Sequence, residues 1–446
     1  MGLGLGLIHY VPLIAYIGFW VMCIVSLTGR PLLGFYYLIP FIPYRTMRDH
    51  FLDYPLGGNV LTILVIAVIV GAFLRGKRLP KSKLYLIWLF FGIYLYASMW
   101  FGTALGNAPP PLWLSDLNFV TWKDYMLIPL LFVVAGLVVE DRKAVRTVIL
   151  ITAISLLFID RSCLLESLSR TWTNFDENKR GGGPLGYGSN QTAAYLAQFA
   201  MFFWGAAQFL NRRKIKLLCY GLVALTIFAI MYTFSRGAYG AILVSIFILG
   251  VLKDRKLLVL GVVFLLTWQA VVPPAVRQRV TMTENSNGQL EASANERLKL
   301  WQAAEDSILS NPILGTGFAT YQYTNHVDNL KDTHNWYVKV LVETGIVGLI
   351  IVLVMLQQML ALSYRLFKRS EDPLYRGLGL GLFLAIWASI IANFFGDRWT
   401  YLEITGPLWV LIGTAICATH MPEDKPEKEL TPEDSIAAVN PYLAYR

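Results

Sequence analysis

The sequence predicts an all-α polytopic membrane protein, and three observations carry that prediction. Of 446 residues, 56% are hydrophobic and 15% charged, where soluble domains hold roughly 25% charged residues. Mean hydropathy is +0.52. Apolar runs recur along the whole chain, many near the length of about 20 residues that a membrane-crossing helix needs. A soluble enzyme, a disordered chain and a secreted disulfide scaffold are thereby excluded. The four cysteines, Cys23, Cys163, Cys219 and Cys417, are scattered and form no disulfide framework or metal spacing.

The net charge of +9 is a topology signal rather than a nucleic-acid one. Lys and Arg gather in short clusters between apolar runs: Arg75–Lys83, Arg142–Arg146, Arg212–Lys216, Lys253–Lys256 and Arg365–Arg376. Such clusters mark cytoplasmic loops, because basic residues resist translocation. The first apolar run lacks a charged n-region and a cleavage site, so it reads as an uncleaved anchor.

About twelve spans are predicted, near 8–27, 60–74, 84–104, 123–139, 146–160, 191–210, 217–234, 238–252, 257–272, 336–364, 377–395 and 402–419. The stretch 31–43 is apolar but short and carries Pro31, Pro40 and Pro43. It is read as a re-entrant or interfacial piece, which leaves both termini cytoplasmic. The opposite face then receives 28–59, 105–122, 161–190, Ser235–Arg236, 273–335 and Asp397–Arg398. Residues 1–419 form the transmembrane domain, 273–335 being large enough for a lid. Within that loop, Asn295–Ser310 has helical spacing of Leu298, Trp301, Ala304 and Ile308. Residues 420–446 are polar and rich in Pro and Glu, a disordered cytoplasmic tail.

Three features fall on the external face. Arg236, in Ser235-Arg236-Gly237, sits at a hairpin tip where positive charge is disfavoured. A guanidinium fork beside the N–H groups of a helix start suits phosphate or diphosphate; the plainer reading is an arginine snorkelling to lipid headgroups. His334 lies at the mouth of the longest span, beside Trp336 and Tyr337. Imidazole suits removal of a hydroxyl proton near neutral pH, although an interfacial aromatic belt also accommodates histidine. Glu343, about two turns into that span, should face the interior and find a partner. The third feature is Lys179-Arg180 followed by Gly181-Gly182-Gly183-Pro184-Leu185-Gly186-Tyr187-Gly188. Glycines let backbone amides approach an anion closely; a flexible connector with chance basic residues is the alternative. Arg297, four residues before Trp301, is a weaker candidate that also fits a solvated helix face. Two arginines, a glycine-rich turn and one histidine on one face suit transfer from a lipid-linked phosphate donor. No carboxylate cluster has metal-ligand spacing, so arginines rather than a metal cofactor would neutralise the diphosphate.

The chain resembles the O-antigen ligase/polymerase superfamily, most closely its ligase branch. The resemblance rests on Arg297-Leu298-Lys299-Leu300-Trp301, Asn311-Pro312-Ile313-Leu314-Gly315-Thr316-Gly317-Phe318, and His334-Asn335-Trp336-Tyr337 with Glu343-Thr344-Gly345-Ile346-Val347-Gly348. Ser235-Arg236-Gly237 and 180–190 fit the same pattern, and coverage runs from about Arg180 to Leu349. The resemblance implies a GT-C-like, inverting, metal-independent glycosyltransferase without cofactors in a bacterial inner membrane, its site facing the periplasm. In the ligase branch a glycan passes from an undecaprenyl diphosphate carrier to a hydroxyl of lipid A–core. Carried over, Arg180 and Arg236 hold the diphosphate and His334 activates the acceptor; Lys179, Arg297 and Glu343 are supporting candidates. The triple glycine and the bulky Trp336 depart from the usual pattern. The alternatives are an O-antigen or exopolysaccharide polymerase, a protein O-oligosaccharyltransferase and, in another class, a lipid or polysaccharide transporter. A transporter predicts mid-span charges and broken helices, and the sequence is poor in the former.

Overall fold

Apolar runs become helices wherever the sequence predicts a span. In a computed structural model, residues 10–106, 108–168, 173–176, 180–282, 292–323 and 333–422 are described, and helices are their only regular secondary structure. The main helices are α1 (Val11–Leu27), α2 (Pro31–Phe41), α3 (Val60–Leu74), α4 (Lys83–Gly106), α5 (Leu117–Val138), α6 (Arg142–Leu168), α7 (Ser189–Ala207) and α8 (Arg213–Met231). They continue as α9 (Arg236–Leu252), α10 (Lys256–Val271), α11 (Pro274–Thr281), α12 (Ala292–Ser310), α13 (Trp336–Arg369), α14 (Pro373–Asn393) and α15 (Leu402–Ala418). Among the described residues seven helices are long and apolar enough to cross a bilayer, or eight if the bent pair α10–α11 is one span. The chain is thus a polytopic helical membrane protein. α1, α2, α9 and α15 are apolar but shorter.

The centre is α7 packed along α14. Gly205 and Gly381 let these backbones approach so closely that a Cβ on Gly205 would lie 2.8 Å from the Gly381 backbone. Small residues permit such contact where the apolar effect alone does not drive helices together. α15 packs on α5, with Trp409 beside Phe132 and Gly413 against the Phe132 carbonyl. Tyr195, Phe199 and Phe202 on α7 and Tyr375 on α14 are fully buried.

The connections segregate to two ends. At the basic end Lys77 pairs with Glu140, Arg142 grips Asp372, and Lys253 and Arg376 both lie over the Phe209 ring. At the loop end Thr46 donates to the Pro184 carbonyl, Tyr187 packs on Tyr401, and Arg48 pairs with Glu403.

α2 departs from the prediction. A Cβ on Gly71 would collide with the Ser26 carbonyl, and one on Gly29 would meet the Arg75 guanidinium, so α1 and α3 finish at the same, basic end. From there α2 leads away: Tyr37 donates to the Ala15 carbonyl at 2.8 Å, and Phe41 packs on Phe19 and Phe51. The chain has reached the loop end by Arg45. The loop 28–59 is therefore split between both ends, and α2 carries the chain across instead of turning back. Its 11 residues rise only about 16 Å, half a hydrocarbon core. The crossing is tolerated because α2 is sheathed by α1, α3 and α6, where irregular backbone is shielded from lipid. The count of twelve crossings depended on α2 turning back.

The described residues of 273–335 are packed into the bundle. After the 111° bend, α11 lies under the α8–α9 hairpin. Residues 312–320 wedge between α4 and α13: the amides of Thr316 and Gly317 donate to the carbonyls of Val342 and Glu343, each at 2.8 Å, and Phe318 N donates to Ser98 Oγ at 3.0 Å. Gly345, at φ 61° and ψ −169°, breaks the helical path of α13 here, and a Cβ on it would collide with the Ile313 carbonyl. On α12 Ala304 is buried and Ile308 packs beside it, as predicted, but Leu298 and Trp301 are exposed and Leu300 and Ser307 are buried instead, so the helix is turned partly from its predicted face.

Candidate active site at the loop end

Arg236 is the first residue of α9, reached through Tyr232-Thr233-Phe234-Ser235. This turn closes tightly because Phe234 takes φ 52°, a left-handed conformation uncommon outside glycine. Gly237 follows because the Phe395 ring would lie 2.9 Å from any Cβ there. Arg236 Nη1 donates to the Met282 carbonyl at 2.8 Å, which ties the guanidinium to the end of α11.

Arg180 meets the same turn from the other side. Its Nε donates to the Thr233 carbonyl at 3.0 Å and its Nη2 to the Phe234 carbonyl at 3.4 Å and Asn190 Oδ1 at 2.6 Å. Two arginines that are far apart in sequence thus flank one four-residue turn. A third cation completes the cluster. Arg279 of α11, 5% exposed, sits 4.8 Å over the Phe175 ring, and Phe175 packs on Phe234.

The glycine-rich turn uses its glycines conformationally, with positive φ at Gly183, Gly186 and Gly188. Its converging amides do not face an open anion site. Gly182 N and Gly183 N both donate to Glu166 Oε2, at 3.1 Å each, so a carboxylate of the chain fills the nest. Arg45 stacks 4.1 Å over Tyr187, whose phenol is pushed up to about 12, chiefly by burial and then by Glu403.

His334 precedes α13 in the left-handed region, at φ 51°. The next residue, Asn335, caps the helix by accepting from the amides of Tyr337 (3.0 Å) and Val338 (3.3 Å). Thr333 is held by Trp301, whose Nε1 donates to its carbonyl at 3.0 Å. Strain beside a cap and a clamp marks a position fixed by its surroundings, a common property of functional sites.

The α14–α15 turn joins the arginine cluster to His334. Phe395 of this turn lies against Gly237, Phe394 packs on Tyr337, and Trp399 stacks on Trp336 at 5.0 Å. Asp397 takes a 2.9 Å ion pair from Lys339 and holds the amides of Trp399 and Thr400, both at 3.1 Å. Bulky Trp336 is 1% exposed, so it is a wall of the bundle.

The supporting candidates separate. Arg297 lies one turn before Trp301 on α12. Glu343 is buried facing the interior, as predicted, in a small cavity with Lys339, Tyr125 and Phe318. It sits about 10 Å down α13 from Trp336, away from the mouth. Lys179 lies outside the described residues, as does residue 423 onward of the tail. Among the described residues no group of three or more His, Cys, Asp and Glu could hold a metal ion. Arg279, Arg45 and the Lys339–Asp397 pair were not read from the sequence. Arg279 carried the signal that identified Arg236, a basic residue on the disfavoured face.

A helical membrane protein with cations gathered at one end of its bundle is the class this site defines. Residues 221–353 match the family model described as O-antigen ligase, which supports the superfamily resemblance read from the sequence. The match spans Arg236, Arg279, Arg297, His334 and Glu343 and stops short of Arg180. Ligase or glycosyltransferase-type activity is what that description implies of the family. No curated protein matches the chain.

Proposed function

We propose that the protein is an inverting, metal-independent glycosyltransferase that moves a glycan from undecaprenyl diphosphate to a hydroxyl of lipid A–core on the periplasmic face of a bacterial inner membrane. The observation that carries this reading is the attachment of Arg180 to the Thr233–Phe234 carbonyls beside Arg236. His334 removes the proton of the acceptor hydroxyl, and the oxygen attacks the anomeric carbon from the face opposite the diphosphate. The bond from that carbon to the diphosphate oxygen breaks, and its electron pair leaves with the carrier. Arg180 and Arg236 hold the charge that develops there; donors fixed beforehand need no reorganisation as the bond breaks. α12 and the strap 312–320 brace the segment that carries His334, and the 1–419 transmembrane domain holds both halves of the site together.

The test is transfer by purified protein from an undecaprenyl diphosphate glycan to lipid A–core with EDTA present. Product formation supports the reading. Elongation of the lipid-linked glycan with no product on lipid A–core would instead identify a polymerase.

A further inference from the structure

A second site lies at the other end of the molecule. It is a cavity of about 390 Å³ where the end of α13, the start of α4 and the end of α15 meet. Its walls carry Lys81, Lys83, Arg365, Arg369 and His420, and no described carboxylate lines it. The neighbouring acid Asp372 is engaged elsewhere, accepting from Arg142 at 2.5 and 3.1 Å and capping α14. Glu371 follows Ser370 in the chain but does not line the cavity.

Four permanent cations around one cavity, with no described carboxylate among its lining residues, give it a positive potential that favours an anion. Ser82, Ser370 and Thr419 add hydroxyls to the walls, whereas Leu84, Leu362 and Leu366 supply an apolar side. Basic pockets between membrane helices suit lipid phosphates. We infer that this cavity binds a phosphate-bearing anion, at the end opposite the arginine–histidine site. The inference stands independently of the transfer reaction proposed above.

Two sources share this chemistry, an anionic phospholipid headgroup and soluble phosphate. The test compares thermal unfolding midpoints of the full chain in phosphatidylcholine nanodiscs, in phosphatidylcholine–phosphatidylglycerol nanodiscs, and in detergent with inorganic phosphate. The wild-type midpoint should rise with at least one of these anions. Response to phosphatidylglycerol alone assigns a lipid headgroup; response to inorganic phosphate assigns a soluble source. In either case Arg365→Gln with Arg369→Gln should weaken the apparent affinity about tenfold or more, since each charged hydrogen bond contributes on the order of one such factor. Lys81→Gln with Lys83→Gln repeats the test at the exposed start of α4, in case the α13 variant folds poorly. Lys368→Gln is the control, because Lys368 lies over the Phe367 and Tyr364 rings, outside the cavity. No shift with either anion, or equal shifts in wild type and both double variants, would overturn the inference.

Discussion

Arg180 donates from Nε to the carbonyl of Thr233 at 3.0 Å, across 53 positions of sequence. The guanidinium is therefore held against the turn that presents Arg236, and the two residues act on one ligand volume or on none. Each should be intolerant of lysine, which offers a point charge where the fork offers directed donors. Arg236→Lys and Arg180→Lys should each lose on the order of 10²-fold or more in transfer rate, near the loss of the alanine variants. Full activity of Arg236→Lys in the purified transfer assay would reduce that residue to a headgroup anchor.

Arg30 and Arg45 should lie on opposite sides of the membrane. Single-Cys variants at 30 and 45 in membrane vesicles, labelled with an impermeant thiol reagent, should differ: Cys at 30 should match one at 75, and Cys at 45 one at 187. Equal labelling of 30 and 45 from one side would restore the re-entrant reading of α2.

The Lys339–Asp397 pair fixes the turn that joins the two halves of the site. Asp397 is almost fully buried and Lys339 mostly so. Asp397→Ala removes a buried carboxylate from beside the ammonium and releases the amides of Trp399 and Thr400. Losing one partner of such a pair costs about 3–5 kcal/mol. Thermal unfolding should therefore show a clear drop, and Lys339→Met combined with Asp397→Ala should be less destabilised than Asp397→Ala alone. Additive losses would show that the pair is not coupled.

Gly345→Ala should fail through the fold rather than the chemistry. The residue adopts a conformation essentially confined to glycine, worth about 1–3 kcal/mol of strain for any other residue, and its added Cβ would strike the Ile313 carbonyl. Membrane-inserted protein level and activity should fall together. Normal protein with normal activity would contradict the wedge of 312–320 against α13.

The helices were legible because hydropathy acts locally, over about 20 residues. α2 was not, since 11 residues fall below that window and its course is set by Ser26, Gly71 and Arg75 on its neighbours. Arg236 and His334 were legible from their sidedness. Their fixation was not: Phe234 and His334 reveal left-handed backbone only in three dimensions. The glycine-rich turn misled for a similar reason. Its amides converge as an anion site would, but the anion is Glu166, an element away in the chain. On α12 the periodicity was right and the phase only half so: Ala304 and Ile308 pack inward, while Trp301 reaches Thr333 through its Nε1 and remains exposed.

The central claim is that His334 is the base acting beside an arginine-held diphosphate, and one comparison tests it most directly. Purified His334→Ala should transfer glycan about 10²–10⁴-fold more slowly, while it binds the undecaprenyl diphosphate donor as wild type does and inserts at the normal level. His326→Ala, which removes another imidazole from the same sequence stretch, should retain activity. If His334→Ala turns over at the wild-type rate, or if His326→Ala is the dead variant at normal protein level, the assignment of His334 is wrong.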